Sequence, residues 1–338
     1  MAEGRSENSG NQLIITLLLV LAAVALGGAL YFMRPVLVPL VLAVLLSYLV
    51  APVVDFVQVR LKVPRAVGVV AAFLLAAGMV TALVLVLSSS AARLAQKSHL
   101  YQEKLVDLGT EAMGIAQKLG VPVDEEVVRG QLADLPVGSI IGNVLNGLVN
   151  SASMFFLVLL FVIYLVAGQT PGEHKKGVYK EIDAKIRRYI SIKVILSATT
   201  GVLVAVFLTI VGLDLAAVFG VLAFLLNFIP SVGSIIATLL PIPLAIVQFD
   251  SVALIIVAIV LPGSVQLIIG NVLEPKMMGT SLDLHPITVL LSLIFWGMLW
   301  GVPGMVLAAP ITAVLKIILD RIETTRPVGA LLAGKLPE

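Results

Sequence analysis

The residues best suited to chemistry lie near position 270, where small and polar side chains recur at helical spacing. Gly263, Gln266, Gly270 and Glu274 follow one another at intervals of three, four and four residues, and Asn271 lies beside them. On an apolar helix such a stripe faces protein or water rather than lipid. The spacing predicts either a solute-binding face or a surface for close helix packing.

Glu274 is the strongest candidate for an ion-coupling carboxylate. It ends the stripe and is followed by Pro275, which would end the helix there. Because a charged carboxylate is expensive near a bilayer, such a group is suited to taking up and releasing protons. Lys276 is the nearest cation in the sequence, and a surface ion pair between Glu274 and Lys276 is the alternative interpretation.

A second group of polar residues surrounds a proline in an otherwise apolar stretch. These pathway candidates are Asn227, Pro230, Ser231 and Ser234. Their side chains, together with carbonyls that the proline frees, suit a polyhydroxylated solute or a small cation. Ordinary packing of satisfied polar groups is the alternative.

Three further ionisable residues lie at the ends of apolar segments. Asp214 and Asp250 bracket the stretch around Pro230 and are secondary candidates for ion coupling, although interfacial markers are the favoured interpretation. His285 could titrate near neutral pH, or could simply begin the helix that starts at Pro286.

The sequence contains no pattern typical of an enzyme, a metal site or an ATP-driven pump. It has no cysteine, and the motifs HExxH and GxSxG do not occur. The spacing GxxxxGK occurs at 329–335, but Leu336 replaces the Ser or Thr that would hold magnesium. A net charge of +2, without a basic patch interleaved with aromatics, gives no indication of nucleic-acid binding. We therefore predict no catalytic residues, no metal and no cofactor.

The composition predicts the elements that must position these residues. The chain has 338 residues, of which 59% are hydrophobic and 12% are charged, and its mean hydropathy is +1.10. A soluble domain is about 25% charged, so we predict an all-α, polytopic membrane protein of about eight membrane segments. The clearest spans are 13–33, 36–54, 67–88, 153–167 and 194–212.

Two long uncharged stretches in the C-terminal half are interrupted near their middles. One runs from 215 to 249 and breaks at Pro230; the other runs from 286 to 319 and breaks between Trp296 and Gly304. Each is either a helical hairpin or a long kinked helix, and 251–273 between them is one continuous span. Hairpins would place the 274–285 loop in the cytoplasm, whereas single spans would place it outside.

The charged segments predict the domain organisation and the orientation. Three spans within 1–90 precede an extramembrane amphipathic segment, 91–150, whose apolar stripe is expected to pack on the membrane domain. The membrane domain, 151–320, begins with a basic interfacial helix at 173–193, and 321–338 is a tail. Lysine and arginine bias places both termini in the cytoplasm.

Two further pairs carry packing predictions in the last apolar stretch. Gly297 and Gly301 form a GxxxG pair that favours close helix contact. Trp296 and Trp300 lie one helical turn apart and are expected to be interfacial anchors, with a hydrophobic gate as the alternative.

Several motifs resemble those of the autoinducer-2 exporter family, the PerM-like permeases. They are Arg34-Pro35 with Val38-Pro39-Leu40, Ser47-Tyr48-Leu49, Val63-Pro64-Arg65, Asn227-Phe228-Ile229-Pro230 with Gly233, the run from Asn271 to Gly279, Leu284-His285-Pro286, Trp296-Gly297 through Gly304-Met305, and Ala309-Pro310. They occur in the expected order across residues 31–320. The resemblance implies a helical bacterial inner-membrane transporter with eight membrane segments that forms a homo-oligomer. It also implies autoinducer-2 export and quorum sensing, and for some members sodium or lithium exchange for protons.

These observations predict a secondary transporter that exports a small polar solute such as autoinducer-2, coupled to protons. A Na⁺(Li⁺)/H⁺ antiporter is the alternative within transport. A passive oligomeric channel or a membrane scaffold is the alternative of another class. The expected partners are membrane lipids, the solute and H⁺ or Na⁺.

Overall fold

The structure is a computed structural model that describes residues 3–119, 154–168, 177–278 and 282–335. Within them every regular element is helical, as the sequence predicts. The predicted segments 91–150, 173–193, 274–285 and 321–338 extend beyond these residues at 120–150, 173–176, 279–281 and 336–338.

Twelve α-helices account for most of the described chain. They are α1 (Glu3–Phe32), α2 (Arg34–Leu61), α3 (Arg65–Lys118), α4 (Met154–Ala167), α5 (Val178–Val211), α6 (Ala216–Leu226), α7 (Val232–Leu239), α8 (Pro241–Gln248), α9 (Val252–Ile268), α10 (Glu274–Met278), α11 (Pro286–Leu319) and α12 (Arg326–Leu332). A π-helix, Ile269–Leu273, joins α9 to α10, and a 3₁₀ turn, Glu323–Thr325, precedes α12.

Five of the described helical segments are long and apolar enough to cross a membrane. They are Arg34–Arg60, Arg65–Ser90, Val178–Val211, Val252–Met278 and Pro286–Leu319. Four shorter apolar segments accompany them: Val20–Phe32, Met154–Ala167, Ala216–Leu226 and Val232–Gln248. The chain is therefore a multi-pass helical membrane protein, and the count of about eight segments remains a prediction.

The described residues form two compact units. One contains residues 1–44 and 283–338, and the other contains residues 45–282. The first unit therefore combines the two ends of the chain, whereas the second is one uninterrupted stretch.

Helix α3 contains both the third predicted span and the amphipathic stripe. Its 54 residues correspond to about 80 Å, and the change of composition at residue 91 does not interrupt it. Tyr101 and Val247 are buried together, and Leu105, Leu108 and Leu244 pack against them. The stripe thus packs on α8, which agrees with its predicted role.

Small residues allow α5 and α6 to approach closely. A Cβ on Gly201 would lie 2.7 Å from the carbonyl oxygen of Gly220, and a Cβ on Gly220 would lie 2.6 Å from that of Gly201. The core of the second unit surrounds this crossing, with Val204, Leu208 and Ala223 fully buried. Close backbone approach of this kind is the usual mode of helix packing in membranes.

The first interrupted stretch is a helical hairpin, which we call hairpin A (residues 216–248). α6 ends at Leu226, and Ser231 has a φ of 59° before α7 begins. A Cβ on Gly233 would lie only 1.8 Å from the carbonyl oxygen of Leu226. The Gln248 amide joins the two ends of the hairpin, since it accepts from the Asp214 N–H at 2.8 Å and donates to the Gly212 carbonyl at 2.7 Å.

The second interrupted stretch, which we call hairpin B (residues 286–319), reverses at Gly301. This residue has φ 66° and ψ −145°, a conformation that glycine adopts readily. Trp296 donates to Thr312 at 3.3 Å, whereas a straight helix would separate those residues by about 24 Å. A Cβ on Gly304 would lie 1.9 Å from the Trp296 carbonyl oxygen, and the Cβ position of Gly297 meets the side chain of Met305.

The prediction that Trp296 and Trp300 are interfacial anchors is wrong. They are only 6% and 7% exposed, and their ring centroids lie 5.0 Å apart. Their indole N–H groups donate to Thr312 and to the Leu30 carbonyl, the latter at 3.0 Å. The reversal at Gly301 turns their shared helix face towards protein, where both indoles find hydrogen-bond partners.

Candidate functional site

A buried polar side chain on α9 has no hydrogen-bond partner among the described residues. Gln266 is 5% exposed, and neither its amide nitrogen nor its amide oxygen is bonded. Leaving a buried amide unpaired costs about 1–3 kcal/mol for each unmet group. An unsatisfied buried group of this kind needs an explanation, such as an ordered water, a bound ion or a functional role.

The face of α9 that carries Gln266 packs against the second arm of hairpin A. The Cβ position of Gly263 is 3.5 Å from the methyl group of Thr238, and that of Gly270 is 3.8 Å from the Ser234 hydroxyl. Gln266 lies between these two glycines along the helix. Three members of the predicted stripe, together with the candidate Ser234, are therefore brought to one helix contact.

The backbone of this helix is irregular on both sides of Gln266. Pro262 lies inside α9, and the π-helix Ile269–Leu273 follows it. A π-helix interrupts the regular i to i+4 hydrogen bonding of an α-helix and is frequently found at functional sites. The predicted span 251–273 is thus one uninterrupted helical segment, but its hydrogen-bond pattern changes from α to π at Ile269.

Glu274 forms an ion pair with Lys193 of α5. The Lys193 Nζ lies 2.5 Å from the Glu274 Oε1, and the side chains are 2% and 22% exposed. The alternative that paired Glu274 with Lys276 is wrong, because Lys276 is exposed on α10 and the packing of α5 against α9 and α10 provides the nearer cation. Burying two charges costs several kcal/mol each unless they are paired.

The spacing of α5 contains a signal for Lys193 that sequence analysis missed. Ile186 and Ile190 belong to the apolar stripe of the basic segment, and Lys193 follows Ile190 at three residues. All three are less than 9% exposed. A lysine that continues a buried stripe is a stronger functional candidate than one on the charged face.

The remaining candidates of hairpin A lie at its turn. Asn227 is 2% exposed and donates to the Ser197 hydroxyl of α5 at 3.0 Å. Pro230 is half-buried, and Ser231 is exposed. The cavity lined by Arg187 and the small cavity lined by Phe73 border neither Pro230 nor Pro303. The feature that indicates a solute site is accordingly the unpartnered amide of Gln266, and not an open cavity.

Asp214 and Asp250 both contact the extension of α3. Asp214 accepts hydrogen bonds from Lys97 and Tyr101, and Asp250 pairs with Lys104 at 2.8 Å. Burial raises the pKa of the Asp214 carboxyl, but the bonds from Lys97 and Tyr101 outweigh burial and hold it below its usual value. Both residues hold the ends of hairpin A.

His285, Asn271 and Lys276 lie apart from the Gln266 contact. His285 caps α11, where its Nδ1 accepts from the Ile287 N–H at 3.3 Å. The backbone N–H of His285 donates to the Leu332 carbonyl at 3.0 Å. Asn271 and Lys276 are exposed. Among the described residues, no three His, Asp or Glu side chains are grouped as metal ligands.

Comparison with known protein families gives a match across most of the chain. The sequence profile described as "AI-2E family transporter" matches residues 15–324. The chain belongs to the AI-2E transporter family. Its predicted resemblance to the autoinducer-2 exporters is confirmed.

Full-length relatives of this AI-2E transporter are found in distant bacteria. The AI-2 transport protein TqsA of Escherichia coli K12 is 30% identical over 96% of each chain. A Borreliella burgdorferi protein named provisionally as a transport protein is 30% identical over 91% of this chain and 87% of its own. YhhT of E. coli K12, named in the same way, is 27% identical over 95% of each chain.

Proposed function

We propose that this AI-2E transporter exports a small polar solute, similar to autoinducer-2, across the bacterial inner membrane and couples export to protons. The observation that carries the proposal is the unpartnered amide of Gln266, buried where α9 meets the broken helix of hairpin A. The family and the name of TqsA support the solute class.

Gln266 suits a polyhydroxylated solute because an amide offers both donors and acceptors. Ser234 brings a hydroxyl to the same helix contact. In the structure the amide is unsatisfied, so a solute that bonds to both its nitrogen and its oxygen would remove an existing penalty. Movement of α7 away from α9 would open this contact.

Coupling is proposed to act through Glu274. A proton on this carboxylate would weaken its pair with Lys193 and leave a buried ammonium without a counter-charge, which is strongly unfavourable. Relief would require α5 and α9 to shift. The π-helix between Gln266 and Glu274 would let such a shift reach the solute contact.

In the proposed topology, six spans and two re-entrant hairpins make eight membrane segments, with both termini in the cytoplasm. Gln248 joins the ends of hairpin A, and Lys316 joins those of hairpin B by pairing with Asp283 and, at 3.0 Å, with Asp320. Labelling of a cysteine at Thr280 from the cytoplasmic side only would support this topology, and labelling from outside only would contradict it. The homo-oligomer remains a proposal, which crosslinking would test.

Flux measurements in proteoliposomes test the function. We expect an imposed proton gradient to drive efflux of autoinducer-2 and Glu274→Gln to abolish the gradient dependence. Glu323→Gln, which removes an exposed carboxylate, is the matched control and should behave as wild type. Proton movement driven by sodium without solute would indicate the antiporter instead. Solute flux that is insensitive to any gradient would indicate a channel.

A further inference from the structure

An open cavity of about 570 Å³ lies between the end of α2 and the first half of α5. It is lined by Asp55, Phe56, Val59, Arg60 and Arg187. The cavity belongs entirely to the second unit and borders none of the residues assigned above to solute or proton transport.

The two arginines of the cavity have hydrogen-bond donors that are not used by described residues. The Arg187 Nε is buried and has no hydrogen-bond partner among the described residues, and the guanidinium reaches Asp183 only at 3.9 Å. Arg60 lies in the last turn of α2 and forms no ion pair with a described residue. Guanidinium groups of this kind match the oxygens of a phosphate group well.

The carboxylate in the cavity is already partly neutralised. Asp55 lies 3.7 Å from Arg65, whose Nε also donates to the Val166 carbonyl at 3.3 Å. The cavity therefore contains two arginines, Arg60 and Arg187, and one carboxylate, which already pairs with Arg65. Its net charge is positive.

The other lining residues are apolar and open to the surroundings. Phe56 is 67% exposed and Val59 is 78% exposed, on a helix that is apolar enough to cross a membrane. A ligand that fits both parts of this cavity has an anionic head and a hydrocarbon tail. Basic pockets between membrane helices bind anionic lipid headgroups in this way.

We propose that the cavity binds the phosphate-bearing headgroup of an anionic phospholipid, with Arg60 and Arg187 on the phosphate and Phe56 and Val59 along an acyl chain. The site would hold α2 against α5, which carries Lys193. The assignment does not depend on the identity of the transported solute.

Titration of the detergent-purified full-length protein tests the proposal, with the midpoint of thermal unfolding as the readout. We expect dioctanoyl phosphatidylglycerol to stabilise the protein saturably and dioctanoyl phosphatidylcholine to bind much more weakly. Arg60→Gln with Arg187→Gln should weaken phosphatidylglycerol binding by about fivefold per arginine. Arg188→Gln removes the neighbouring, exposed charge of α5 and should change the affinity by less than about twofold.

Asp55→Asn provides a test in the opposite direction, which remains informative if the double arginine variant does not fold. It removes the competing carboxylate and should tighten phosphatidylglycerol binding. Equal weakening by Arg188→Gln and the double variant would overturn the site, as would an unchanged affinity in Asp55→Asn. Stabilisation by inorganic phosphate alone at the same concentration would overturn the lipid and indicate a free anion.

Discussion

Hairpins A and B both reverse the chain within an apolar stretch, but the side chains beside the two turns differ. In each, a glycine of the second arm lies against a carbonyl of the first: Gly233 against Leu226, and Gly304 against Trp296. Hairpin A brings the Ser234 hydroxyl to an α9 face that holds an unpartnered amide. Hairpin B buries two indoles whose N–H groups are both satisfied. The two hairpins have similar backbone breaks, but only hairpin A lies beside an unsatisfied buried amide, and our proposed solute site depends on that difference.

The largest loss of stability is expected from substituting the glycine that packs against a backbone carbonyl in each hairpin. Gly233→Ala and Gly304→Ala would each place a methyl group within 2 Å of a backbone oxygen, so we expect losses above about 3 kcal/mol. Gly270→Ala, whose Cβ would meet Ser234 at 3.8 Å, is the control. Size-exclusion profiles of detergent extracts should show folded protein for the control alone. Folded, monodisperse Gly304→Ala protein would contradict the geometry of hairpin B.

The next largest effect concerns the ion pair beside hairpin A. Replacing either Lys193 or Glu274 with Met leaves the other charge buried and should cost about 3–5 kcal/mol, whereas the double replacement should recover most of that loss. Unfolding midpoints of the two single variants and the double variant measure the coupling. Additive losses would show that Lys193 and Glu274 do not form the pair.

Gln266→Leu should separate function from stability. Removing an unpartnered buried amide is expected to leave stability unchanged or raise it by about 1–3 kcal/mol, while solute efflux is lost. In hairpin B, Trp296→Phe removes a satisfied bond and should reduce stability by about 1 kcal/mol with efflux retained. Thermal unfolding measures the stability of both variants, and efflux from vesicles made with the same preparations measures their transport. Lower stability of Gln266→Leu would mean that the amide is already bonded, and the comparison between hairpins would fail.

The smallest effect is a pH dependence at the ends of hairpin A. Because the pKa of Asp214 is lowered from 3.8 in the folded protein, its contacts with Lys97 and Tyr101 stabilise the fold above about pH 4. Their contribution is lost as pH falls through the lowered value. Asp214→Asn should therefore reduce the difference in unfolding midpoint between pH 7 and pH 3. An unchanged difference would remove Asp214 from the contacts that hold the hairpin.

The sequence was sufficient to predict where the two apolar helices are interrupted, but not which distant side chains pair with each other. Proline and glycine alter the backbone locally, so the sequence is sufficient to place the first turn near Pro230 and the second within residues 296–304. Lys193 and Glu274 are 81 residues apart, and their pairing depends on how α5 packs against α9 and α10. The indoles of hairpin B were misjudged for the same reason, since only the fold of the second arm shows which side of the first arm is buried.

The most direct test of the proposed solute site at Gln266 uses two cysteines at positions of nearly equal burial. The chain has no native cysteine, and Gln266 and Thr312 are 5% and 6% exposed. We predict that a membrane-impermeant thiol reagent modifies Gln266→Cys in transporting vesicles, that solute slows the reaction, and that Thr312→Cys in hairpin B stays unmodified. Equal protection of the two cysteines under all conditions would contradict the account.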